Sequence, residues 1–148
     1  MTVRFDVSKL AAPAYQGLYA VSETLAASSL GAGFKHQIDL RVSQLNNCHF
    51  CQNLHREWGL RDGLTTEQLD AVAGWRTSPL FTAKERAAFA WAEALTRQEE
   101  DRVPELLAEL RRHWPEESVA ELTMIIAVIN AWNRVGISAY DVGPAAHG

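Results

Sequence analysis

The stretch Leu40-Arg41-Val42-Ser43-Gln44-Leu45-Asn46-Asn47-Cys48-His49-Phe50-Cys51-Gln52-Asn53-Leu54-His55 decides how this chain is read. Its first part closes an apolar helical repeat of Ile38, Val42 and Leu45, with Leu40 beside it, over about 34–45. Asn46-Asn47 then marks one helix end and a fresh start, because asparagine suits both the position just past a helix and the N-cap of the next. A helix is expected over about 48–58, with Gly59 at its C-cap. On it Cys48, Cys51 and His55 fall at i, i+3 and i+7, within about 60° of one another, so all three face one way.

Outward from this stretch the sequence reads as helix after helix. A helix over about 14–28 presents Leu18, Val21 and Leu25 on one face, after an extended arm at 1–13. Gly31-Ala32-Gly33 turns the chain. Thr65-x-x-Gln68 and Thr82-x-x-Glu85 have capping-box form and start helices over about 66–75 and 83–98. Gln98–Asp101 reads as an acidic, solvated linker. Pro104 and Pro115 suit helix first turns and place the last two helices at about 104–112 and 116–139, with a fraying tail after Tyr140. No alternating β pattern persists and no internal boundary is visible. The expectation is one all-α domain over 1–148, a helical bundle of six to seven helices.

Composition bounds the function. The 148 residues are 47% apolar and 22% charged, which excludes a mainly disordered chain. A net charge of −4 offers no global positive field for nucleic acid or an anionic membrane. Eleven of the 14 cations are Arg, which makes fixed bidentate contacts better than Lys, so some are expected to build structure or an interface. The best apolar run, Leu122–Trp132, is 11 residues long, short of the about 20 a bilayer needs. The opening residues Met1–Tyr15 hold no apolar run behind a basic start, so the chain is expected to be cytoplasmic. Two cysteines three residues apart close too short a loop to staple a fold, so their use is chemical.

That chemistry follows from position. Unpaired backbone N–H groups and the helix dipole favour thiolate at a helix start, and a Cys-x-x-Cys pair there has a lowered thiol pKa. His55, one turn beyond Cys51, can move a proton near pH 7. A thiolate attacks a peroxide O–O bond and becomes a sulfenic acid, a second thiol condenses with it, and an external dithiol resets the pair.

The quoted stretch also resembles the signature of the AhpD-like alkylhydroperoxidases of the carboxymuconolactone decarboxylase superfamily. Glu85-Arg86-Ala87-Ala88 with Trp91–Thr96, and Ile129–Arg134, are similar to the family's later helices, so the resemblance covers about 34–139. It implies an all-α fold, a homo-oligomer (dimer, trimer or hexamer), and reduction of hydroperoxides at the expense of a dithiol or thiol-protein partner, with no metal or cofactor. It also implies roles: Cys51 peroxidatic, Cys48 resolving, His55 the proton relay. One departure stands out. The family usually has a Glu twelve residues before the first cysteine, and here that position is His36, which can pass protons but is no permanent anion at pH 7. Asp39 and Glu57 are nearby carboxylates that sequence cannot aim at His55.

Two other readings compete. His36, Cys48, Cys51 and His55 make a Cys₂His₂ set suited to structural zinc, although His-x₁₁-Cys-x₂-Cys-x₃-His is not a usual finger spacing. A non-enzymatic oligomeric stress-response protein with an idle cysteine pair is the third. Elsewhere the plain readings hold. His49 lies one step off the site face, and His113 and His147 are expected in solvent. Phe50, Trp58, Trp75, Trp91 and Trp132 are expected in a core or interface, with Phe50 a candidate wall for the thiol pocket. Asn133 and Arg134 suit a cap, packing or subunit contact, and Ser43 a back-bond to its own helix.

Overall fold

The computed structural model describes residues 1–143 and is helical almost throughout. Its helices are α1 (Val7–Leu10), α2 (Ala12–Ala26), α3 (Ala32–Leu45), α4 (His49–Arg61), α5 (Thr66–Asp70), α6 (Ala83–Arg97), α7 (Val103–Arg111) and α8 (Glu116–Ala139). Eight helices thus stand where six to seven were expected, the extra one being the single turn α1 inside the stretch read as an arm. Two 3₁₀ turns, Ala71–Gly74 and Glu100–Arg102, extend α5 and break up the acidic linker. Thr2–Val3 (β1) and Tyr140–Asp141 (β2) form a short antiparallel pair that the sequence reading missed. Arg4 clamps that pair, its guanidinium donating to the Ile137 and Tyr140 carbonyls and meeting Asp141 at 3.0 Å. His147 and the rest of the tail after Gly143 lie outside the described residues.

Local chemistry explains most boundaries. Thr65 and Thr82 both close reciprocal capping boxes, with Gln68 and Glu85, as read from sequence. Gln98 ends α6 in the left-handed conformation. Pro115 is the N-cap of α8, and Pro104 lies in the first turn of α7. The C-cap expectation at Gly59 fails. α4 continues to Arg61 and stops at Asp62 and Gly63, whose φ of +92° is the conformation that favours glycine. Gly59 is buried instead because the chain passes close by: a β-carbon there would sit 3.1 Å from Leu64 Cδ1 and 3.2 Å from Leu69 Cδ2.

α8 is the axis of the bundle and packs on α2, α3, α4, α6 and α7. By length and composition it is apolar enough to cross a membrane, where the sequence reading found no such segment. Here its Leu122, Ile125, Ile126 and Ile129 are buried in the protein core. On the far side of that core Phe89 packs edge-on against Phe34 and Phe81 and stacks on Trp75. α2 differs from the rest. It buries no residue, Val21 is exposed, and the inward face is Tyr15, Leu18, Ser22 and Leu25.

A buried charge braces this bundle. The Glu93 carboxylate is fully buried on α6. It accepts from Arg41 Nε at 2.8 Å and from Trp75 Nε1 at 2.9 Å, and pairs with Arg76 at 2.9 Å and Arg97 at 3.2 Å. Burial works to raise its pKa, but hydrogen bonds from Trp75, Arg76 and Arg41 outweigh it and hold the carboxyl at about 2. Arg41, Arg76 and Arg97 thus serve structure, as Arg4 does at the strand pair, and Arg41 joins α3 to α6 through this anion. Glu93→Ala strands the Arg41 guanidinium in the interior and is expected to destabilise the fold by about 3–5 kcal/mol. Chemical denaturation measures this, and a loss below about 1 kcal/mol, the level of an exposed ion pair, contradicts the assignment.

Candidate active site

The loop between α3 and α4 is built to present the cysteines. Asn46 caps α3, and Asn47 takes a φ of +53°, a conformation asparagine tolerates better than most residues. The Asn46 side-chain amide donates to Asn133 Oδ1 at 2.8 Å and Asn130 Oδ1 at 2.9 Å, tying the turn to α8. Ser43 does more than back-bond. Its hydroxyl donates to the Asp39 carbonyl at 2.7 Å and accepts from Asn133 Nδ2 at 2.9 Å, while its carbonyl accepts from the Cys48 amide at 3.0 Å. Asn133 is thus a buried positioning group, whereas Arg134 is exposed and donates back to Asn130.

Cys48 is the N-cap of α4, and its sulfur accepts from the Cys51 amide at 3.3 Å. The two cysteines form a disulfide with Cα atoms 5.3 Å apart. Both are buried, yet they differ in access. Cys51 lines a cavity of about 430 Å³, and Cys48 does not. Gly136 on α8 lies directly behind both: a β-carbon there would meet Cys51 Sγ at 2.8 Å and Cys48 Sγ at 2.9 Å.

α2, α4 and α8, with Lys35, His36 and Asp39 of α3, wall the cavity. Tyr15, Tyr19 and Ser22 come from α2, Phe50, Leu54 and Trp58 from α4, and Ile129, Trp132 and Val135 from α8. Trp132 donates from Nε1 to Ser22 Oγ at 2.7 Å and meets Tyr15 edge-on, which docks α2 on α8. Phe50 stacks on Tyr140 at 4.3 Å and forms the expected wall. Trp58 is half-exposed and lies edge-on to His55, so it flanks the site and is no core residue.

His55 is buried one turn beyond Cys51. Its Nδ1 lies 3.3 Å from His36 Nδ1 and 3.5 Å from Asp39 Oδ2. Lys35 Nζ sits 2.7 Å from the same Asp39 oxygen. His36 Nε2 lies 3.0 Å from Asp62 Oδ2. Hydrogen-bond logic then assigns the tautomers. The Asp62 carboxylate accepts, so His36 carries its proton on Nε2. Its Nδ1 lone pair accepts from His55 Nδ1–H. His55 Nε2 is left as the basic nitrogen, with no protein partner among the described residues and not sealed off. Burial is the main cause that drives the His55 pKa down to about 4; Asp39 opposes it, while Lys35 and His36 add to it. Burial also lowers His36, against Asp39 and Asp62. At neutral pH His55 is therefore a neutral base, not an imidazolium.

Of the four residues read as the site, Cys48, Cys51, His55 and His36 all converge here, but not as a Cys₂His₂ zinc set. The sulfurs are bonded to each other, and the donor group within mutual reach is His36, Asp39 and His55. Of the two carboxylates named from sequence, Asp39 faces His55, while Glu57 pairs with Arg61 on the surface. His49 is only half-buried, and His113 pairs with Glu109. The sequence reading missed Asp62, Gly136 and the α2 wall. Asp62 had a signal: Cys51, His55 and Asp62 recur at i, i+4 and i+11, one stripe of α4.

With this geometry in hand, the relatives are informative. Residues 12–94 match the carboxymuconolactone decarboxylase family, and the chain belongs to it. It is 34% identical over 112 residues to the Bacillus subtilis (strain 168) protein YdfG, covering 75% of this chain and 76% of that one. It is 31% identical over 105 residues to YnjA of Escherichia coli (strain K12), covering 71% of this chain but spanning only 57% of YnjA. Among solved structures, a protein of unknown function from Agrobacterium tumefaciens, ATU0492, suggested to act in AhpD-type antioxidant defence, superposes with a TM-score of 0.88. That match has 31% identity and covers 97% of this chain and 99% of the other. The fold is the AhpD-like helical fold.

Two outcomes follow from the geometry. In the unfolded chain His55 gains a proton below about pH 6.5, whereas in the folded chain it does so only near 4. The unfolded state binds the extra proton in that window, so stability falls as pH drops from 6.5 towards 4. The slope from this one residue reaches at most about 1.4 kcal/mol per pH unit. Denaturation midpoints across the window should show it in wild type and lose part of it in His55→Gln; identical slopes would contradict the burial argument. Separately, Gly136→Ala has no room for its methyl group against the two sulfurs and is expected to cost about 1–3 kcal/mol. A melting temperature equal to wild type would mean that α8 does not rest on the disulfide.

Proposed function

We propose that this protein is a thiol-dependent peroxidase that reduces organic hydroperoxides through Cys48 and Cys51. The observation that carries the reading is the asymmetry of the pair: Cys51 lines an apolar-walled cavity beside a neutral imidazole, and its disulfide partner lies behind it. The structure described is then the oxidised state of the cycle.

In the reduced protein His55 Nε2 takes the Cys51 thiol proton, and the thiolate attacks the distal oxygen of the hydroperoxide. The O–O bond breaks, Cys51 becomes a sulfenic acid, and the alkoxide leaves as the alcohol with the proton from His55. The Cys48 thiol then gives up its proton and its sulfur attacks that of Cys51, and the expelled hydroxide takes up that proton and leaves as water. An external dithiol or thiol protein donates two electrons and two protons to restore both thiols. The helix start favours each thiolate without a permanent cation, through the open N–H groups of α4. In place of the family carboxylate, His36 relays protons between His55 and Asp62, which is exposed and trades them with solvent.

The same reading includes a cytoplasmic setting, where a reversible pair is kept reduced, and a homo-oligomer. What supports assembly is the apolar surface left open, including Leu10, Tyr19, Met124 and Ile137.

Cysteine variants test the chemistry. Cys51→Ser should lose hydroperoxide turnover altogether. Cys48→Ser should consume one equivalent and stop, leaving a sulfenic acid that a dimedone adduct reveals by mass. Turnover by Cys51→Ser at the wild-type rate would end the assignment.

A further inference from the structure

The relay cluster has a second property, independent of the sulfurs. His36 Nδ1 and His55 Nδ1 point at each other across 3.3 Å, and Asp39 Oδ2 lies 3.5 Å from His55 Nδ1. One donor atom from each of the three residues lies within 4.8 Å of the other two. Two imidazole nitrogens and a carboxylate oxygen bound to zinc at about 2.0–2.1 Å are roughly 3.3–3.4 Å apart when the ion is tetrahedral. Two of the cluster's three separations, 3.3 and 3.5 Å, already lie close to that spacing. Its surroundings suit an ion as well. Asp62 accepts from the far nitrogen of His36, the outer carboxylate that orients a metal-bound histidine. Asp39 and His55 are both buried, which keeps water from competing for them, and the cluster borders the cavity, which leaves a fourth position for water.

We propose that His36 Nδ1, His55 Nδ1 and Asp39 Oδ2 form a site for a divalent first-row transition metal, zinc above all, and that the ion switches the thiol pair off. To bind through Nδ1, His55 must move its one ring proton from Nδ1 to Nε2. The nitrogen that faces the cavity then carries a proton and is no longer a base. No electron moves and no cysteine takes part. Lys35 is the opposing group. Its ammonium holds the same Asp39 oxygen at 2.7 Å and must give way, which its flexible stem allows. The site is therefore set for an ion at elevated concentration and not for a tightly held resident.

Binding stands apart from the peroxidase reading, while the switch rests on it, so the test separates them. Zinc chloride is titrated calorimetrically into oxidised, tag-free protein whose disulfide is verified by mass, so that no thiol is available to the metal. One ion per chain is expected. Affinity should fall about tenfold or more in His36→Gln and in Asp39→Asn. It should rise in Lys35→Met, a gain that misfolding cannot imitate. Cobalt(II) should give the visible bands of a low-coordinate ion with no thiolate charge-transfer band. No uptake by the oxidised protein, uptake unchanged in His36→Gln, or no gain in Lys35→Met would overturn the site. In wild type that turns over hydroperoxide, zinc should inhibit and a chelator should restore the rate; a site that fills while turnover is undiminished would overturn the switch.

Discussion

The sulfurs of Cys48 and Cys51 rest on the backbone of α8 at Gly136, closer than any β-carbon would permit. Much of the local design serves that approach. α4 must begin at one height along α8, and the Asn46 amide, shared between Asn130 and Asn133, sets that height. Ser43 links Asn133 to the amide of Cys48, its hydroxyl accepting from the one and its carbonyl from the other. Each of these polar groups would be costly to bury alone; satisfied by one another, they define a single position for the helix start. The larger bundle supports this arrangement from the other side, where the buried Glu93 carboxylate draws Arg41 of α3 onto α6.

The electrostatics of the site run opposite to a simple ion pair. Burial dominates both histidines and keeps them neutral, even with Asp39 alongside. What results is a neutral pair in a fixed tautomer order, with Nδ1 of one ring against Nδ1 of the other and Asp62 at the outer end. The carboxylate usual in the family twelve residues before the first cysteine is absent, and Asp62 from the far end of α4 stands behind His36 instead. The Asp62 carboxylate, one imidazole out from His55, reaches solvent.

Much of this was readable in the one-dimensional pattern. Helix starts marked by Thr65, Thr82, Pro104 and Pro115 agree with the structure because capping is local chemistry that few tertiary contacts override. The face shared by Cys48, Cys51 and His55 follows from helical spacing alone. Most of the failures are cases in which another segment decides. Gly59 has the look of a helix stop, but its smallness serves Leu64 and Leu69. Gly136 gives no signal in its own neighbourhood, since what needs the space is a pair of sulfurs from another helix. The β1–β2 pair joins residues at opposite ends of the chain, and two-residue strands have no period to detect. Asp39 could be named as a nearby carboxylate, but its aim at His55 depends on how α3 and α4 cross.

α2 supplies one side of the cavity while burying no residue of its own. Tyr15, Tyr19 and Ser22 meet whatever enters, yet the hydrophobic centre of the protein is filled by other helices. That side of the cavity and the filling of the core thus come from different parts of the chain. Exchanging side chains on the inner face of that outer helix would reshape the opening while leaving the sulfur-bearing frame unaltered.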